Sequence, residues 1–70
     1  MTTLEKKIMR GVSQRGCVYE KDIIKALCKS ESTSSYGQVV LAIRRLEGLG
    51  LLVIKHLHGV SVIASMQTRH

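Results

Sequence analysis

The spacing of apolar residues changes at Gly48–Gly50. Before that point aliphatic side chains recur three to four apart, the period of a helix face. After it, Leu51–Leu57 and Val60–Ser65 are runs of β-branched and aliphatic residues, the composition of strands. The sequence of patterns predicts an α+β domain, helices first and a hairpin last. With 70 residues there is room for one domain. A chain of that size buries only about 60% of its unfolded surface, so the core is thin and a roomy catalytic cleft is not expected. No proline is present, so glycine and serine do the punctuating.

The elements follow from local signals. Thr2 and Glu5 form a T-x-x-E capping box. Leu4, Ile8 and Val12, with Met9 alongside, then give one apolar stripe on a first helix. Gly11 weakens its last turn and Gly16 stops it. Cys17, Val18 and Tyr19 suit a stub of strand. A second helix runs from about Glu20 to Lys29 on the buried face of Ile23, Ile24 and Leu27. Its acids lie in the first turn, and Lys25 and Lys29 lie towards its end, in accord with the helix dipole. Ser30–Ser35 is a polar turn, and Ser35 and Gln38 make a second capping box that opens a third helix. Val39, Ile43 and Leu46 face inward on it, flanked by Ala42 and Tyr36. His58-Gly59 is the expected two-residue hairpin turn, a weaker signal than Asn-Gly. The domain is expected over residues 1–66, with 67–70 as a flexible tail.

The net charge is +6, with acids thinning along the chain: between Glu31 and Glu47 there is none, and none follows Glu47. Such a surplus favours a polyanionic partner, although it also serves solubility. The cysteines, Cys17 and Cys28, read as small buried hydrophobes in a reducing compartment. No leader-like apolar segment opens the chain, and Leu49–Met66 is interrupted by Lys55, His56 and His58, so cytoplasmic residence without membrane contact is expected. Cys-x-x-Cys and His-x-x-x-His spacings are absent and there is one Asp, so no metal, cofactor, small-molecule substrate or catalytic constellation is expected.

The stretch VVLAIRRLEGLGLL, Val39–Leu52, resembles the end of the recognition helix and the start of the wing in MarR-like and related bacterial, archaeal and viral regulators. The matching positions are Val39, Ala42, Ile43, Arg45, Leu46, Glu47, Gly50, Leu51 and Leu52. The resemblance implies a winged helix-turn-helix: three helices, a short strand after the first, and a C-terminal β-hairpin wing. In it Leu46 and Ile43 anchor the third helix, Gly50 turns the backbone into the wing, and Leu51 closes the core from the sheet side. It also implies a DNA-facing set: Ser34, Ser35, Gly37, Gln38 and Leu41 on the exposed face of the third helix, Arg44 or Arg45 beyond, and Lys55, His56 and His58 near the wing tip. Gln38 would pair with adenine, Leu41 with thymine methyl groups, and the serines with phosphate. Ser35 and Gln38 equally serve as caps alone, and Arg44 and Arg45 as a solvated face.

The expected function is sequence-specific binding of double-stranded DNA as a transcriptional regulator, of the minimal type found in viruses, phages and plasmids, in which case the compartment is the host cytoplasm. One small module offers limited contact area, so useful specificity calls for a homodimer. Two alternatives stand beside it. Val40, Leu41 and the hairpin could form a protein-binding patch, or the domain could bind structured RNA, as some ribosomal proteins with a similar helix-to-hairpin pattern do. The lack of Phe and Trp argues against single-strand stacking. The hairpin is apolar on both strand parities, which hints at a cover for its second face.

Overall fold

A computed structural model describes residues 2–30 and 35–66. The elements are α1 (Thr3–Arg15), β1 (Cys17–Tyr19), α2 (Glu20–Ser30), α3 (Tyr36–Gly48), β2 (Leu52–Leu57) and β3 (Val60–Ser65). This is a winged-helix-like α+β domain. Both capping boxes form. Thr2 Oγ1 accepts from the Glu5 N–H at 3.1 Å while Glu5 Oε1 accepts from the Thr2 N–H at 2.9 Å. Ser35 and Gln38 repeat the exchange at 3.3 and 2.9 Å. These reciprocal bonds satisfy donors that a helix start leaves free. The expected turn at Ser30–Ser35 falls largely, and the expected tail 67–70 wholly, outside the described residues.

At its C-terminus α3 closes with the Leu51 N–H on the Leu46 carbonyl at 3.0 Å and the Gly50 N–H on the Glu47 carbonyl at 2.9 Å. Gly50 has φ 78°, so this is a Schellman closure that turns the chain directly into β2. Gly11 does more than weaken a helix. It lies within α1, where an added Cβ would meet Ile23 Cδ1 of α2 at 3.4 Å.

The sheet order is β1-β3-β2, antiparallel throughout, with β3 in the centre. Cys17, Val18 and Tyr19 pair with Ala64, Ile63 and Val62, and Leu52 to Leu57 pair with Ser65 to Val60. His58 and Gly59 both have positive φ, 51° and 78°, the requirement of the tight turn that matches strand twist.

All six elements feed one aliphatic core. Ile8, Val12, Val39, Ile43 and Ile63 are wholly inaccessible, as is Leu46, and Leu52 is nearly so. Each such side chain contributes about 1.5–3 kcal/mol on burial. Three expectations are corrected here. Tyr36 does not flank the core but stands exposed on the first turn of α3. Leu51 is only partly buried at the core margin, and its neighbour Leu52 closes the core from the sheet side. Cys17 is exposed, because alternation along β1 turns Val18 inward and its neighbours out; Cys28 is half-buried and both thiols are free.

Candidate nucleic-acid interface

The buried face of α3, Val39, Ala42, Ile43 and Leu46, leaves Gly37, Gln38, Leu41, Arg44 and Arg45 on the opposite, exposed side. Helical periodicity makes this division, since residues three and four apart share a face. Val40 falls between the two sides and packs against the core margin, so Leu41 alone of that pair projects freely. Ser35 caps the helix at the same end; Ser34 lies outside the described residues. No acid stands on α3 before Glu47.

Four of the candidate residues, Ser35, Gln38, Arg45 and His56, carry internal commitments. Gln38 Oε1 holds the Ser35 N–H, which leaves its amide NH2 as the group free to donate outward. Arg45 Nε donates to Glu5 Oε2 at 3.0 Å, with the arginine side chain 71% exposed and the glutamate side chain 3% exposed. Glu5 is the one buried charged residue among those described. The Thr2 backbone N–H holds its carboxyl below the usual carboxylate range; burial opposes the shift, and Arg45 reinforces it. Arg45 is thus tethered at its root while its outer guanidinium edge faces solvent. His56 Nδ1 and Ser61 Oγ share a 3.0 Å hydrogen bond across the hairpin.

Gly37 is exposed in the first turn of α3, and an added Cβ would meet nothing within 4 Å. Packing gives no reason for a glycine there, and a helical glycine costs about 0.5–1 kcal/mol relative to alanine. Its effect is to leave the backbone at Gly37 uncovered by a side chain at the positive end of the helix.

Two further residues join this surface: Lys25, which the sequence assigns to the helix dipole, and Lys21, to which it assigns no role. Lys21 and Lys25, four apart on α2, line a groove with Ile24, Cys28, Ser35 and Tyr36. They flank the start of α3. Their spacing on the helix that precedes the turn was the available signal. Lys55, His56 and His58 are all exposed on the hairpin, in β2 and its turn rather than on α2 or α3. Lys55 pairs with Val62 on the outer side of the sheet, the side turned away from the core residue Ile63.

No family model, curated protein or solved structure matches the chain. The likeness of Val39–Leu52 to winged-helix regulators therefore stands at the level of topology. Among the described residues, no three His, Cys, Asp or Glu side chains gather to hold a metal, and no helix is long and apolar enough to cross a membrane.

Proposed function

We propose that the domain binds double-stranded DNA in a sequence-dependent manner, with α3 in the major groove, and acts as a transcriptional regulator. The observation that carries this is the exposed face of α3: a bare first turn at Gly37, a donor at Gln38, an apolar contact at Leu41 and guanidinium groups at Arg44 and Arg45, with no acid among them. The helix has 13 residues, about 20 Å at 1.5 Å per residue, and a major groove about 12 Å wide admits it. Lys21, Lys25 and Ser35 flank the helix start and supply phosphate contacts, which position the module without reading sequence. Arg44 supplies the longest reach to a base edge or phosphate. Lys55 is given no part in this reading, because it stands on the outer side of the sheet.

A second reading has its own support. Tyr36, Leu41 and Leu49 are 68%, 66% and 64% exposed, an apolar set on and just beyond α3 that suits a protein partner.

The test is anisotropy with a randomised DNA duplex pool at low and physiological salt, an RNA duplex as competitor, then selection for enriched sequences. Salt-sensitive binding with an enriched motif, lost on Arg44→Ala, is the expected result. Preference for the RNA duplex would move the reading to RNA. No binding at low salt would sink the nucleic-acid reading and favour the protein partner.

A further inference from the structure

The helices cover one side of the sheet and nothing among the described residues covers the other. Strand alternation puts Cys17 and Tyr19 of β1, Val60, Val62 and Ala64 of β3, and Val53, Lys55 and Leu57 of β2 on that outer side. Tyr19 is 53% exposed and Leu57 54%. Among the described strand residues, Lys55 is the one charged side chain on this side, on a chain whose net charge is +6. The middle of the surface is a single cross-strand row, Tyr19–Val62–Lys55, with β3 between the two edge strands.

We propose that this outer surface is where a second copy of the chain docks, sheet to sheet, on a two-fold axis that runs along β3. Charge selects the second copy and the axis together. Two copies that each carry a net +6 can approach most cheaply through the side with one charge. Of the two in-plane two-fold axes, the one across the strands sets Lys55 over Lys55 of the second copy. The one along β3 exchanges the edge strands, so each Lys55 lies over Tyr19 of the other copy and Val62 meets Val62. That converts a like-charge clash into a pair of cation–π contacts around an apolar centre. Of the two axes through this row, only the one along β3 avoids the contact of Lys55 with its own copy.

Size sets the strength. Two strands of six residues and one of three make a patch at most roughly 15 by 20 Å. Two such patches bury less than about 1,200 Å² in total, the range of weak, reversible association. The dimer is therefore concentration-dependent. It stands independently of what α3 binds.

The experiment is sedimentation equilibrium of the full chain, without nucleic acid, from micromolar to millimolar. The expected mass rises from 7.8 kDa towards twice that value. Tyr19→Lys places an ammonium over Lys55 of the second copy and raises the association midpoint at least about tenfold. Adding Lys55→Glu to that variant restores association, since opposite charges then face each other. Both residues are exposed, and circular dichroism verifies that each variant folds. A monomer at every concentration overturns the proposal, as does a dimer indifferent to Tyr19→Lys. Loss without rescue by Lys55→Glu overturns the axis, because the cross-strand axis would oppose two glutamates and gain nothing.

Discussion

Arg45 Nε donates to Glu5 Oε2 at 3.0 Å across forty positions of sequence, and so joins the last turn of α3 to the first turn of α1. The same carboxylate closes the α1 capping box through its other oxygen. One buried acid therefore fixes a helix start and holds an arginine of the proposed interface at its root.

This arrangement predicts a pH dependence with a definite sign. The folded-state pKa of Glu5 lies below its ordinary value of 4.5, chiefly because the Thr2 N–H donates to it. The unfolded chain then binds more protons as pH falls, so the stabilisation is full above 4.5 and is lost as pH drops through the lower folded value. Thermal melts from neutral pH down to about pH 3 should show the midpoint falling once pH drops below 4.5. In Glu5→Gln that fall should flatten. An equal fall in both proteins would place the acid sensitivity elsewhere.

Gly37→Ala should separate stability from binding. The added methyl meets nothing in the domain, so the helix should gain about 0.5–1 kcal/mol and the melting temperature should rise by a few degrees. DNA affinity should fall at least about tenfold, because the methyl stands where phosphate approaches the bare backbone. Unchanged affinity in a more stable protein would remove the first turn of α3 from the interface.

Gln38→Glu keeps an oxygen for the Ser35 N–H and places a negative charge at a helix N-terminus, so the melting temperature should hold or rise. It removes the amide donor and repels phosphate. Selected duplex sequences should lose affinity while the fold survives, as read by anisotropy beside a melt. If affinity also holds, Gln38 is a cap and nothing more.

His58 occupies a left-handed conformation, φ 51°, that costs an ordinary side chain about 1 kcal/mol. His58→Asn should recover part of that cost and raise the denaturant midpoint, with the sheet register unchanged. A lower midpoint would mean that the imidazole makes a contact worth more than the strain.

Much of the fold was legible because its signals are local. The capping boxes at Thr2–Glu5 and Ser35–Gln38, the glycine at position 50 and the turn at His58-Gly59 each depend on residues a few positions apart. What stayed hidden depends on tertiary pairing. Leu51 and Leu52 are equally apolar, and only the pairing of β2 with β3 decides which faces the core. Spacing sets Tyr36 beside the inward face, yet it stands exposed on the first turn of α3. The Arg45–Glu5 contact has no short-range signature, so Arg45 read as a plain solvent or DNA residue. Lys25 read as a dipole complement until the position of α2 set it, with Lys21, beside Ser35 and Tyr36.

The strand that lies in the middle of the sheet is, of the six described elements, the last to be synthesised. Until Val60–Ser65 emerges, β1 and β2 have no partner, and Ile8, Val12 and Val18 lack the floor that Ile63 provides. Residue 17 must wait for residue 64. Such distant pairing pays its loop-closure entropy before any contact rewards it, which slows folding. A nascent domain of this design stays open until its final strand arrives. Proteolytic loss of that strand would strip β1 and β2 of their pairing and the core of Ile63.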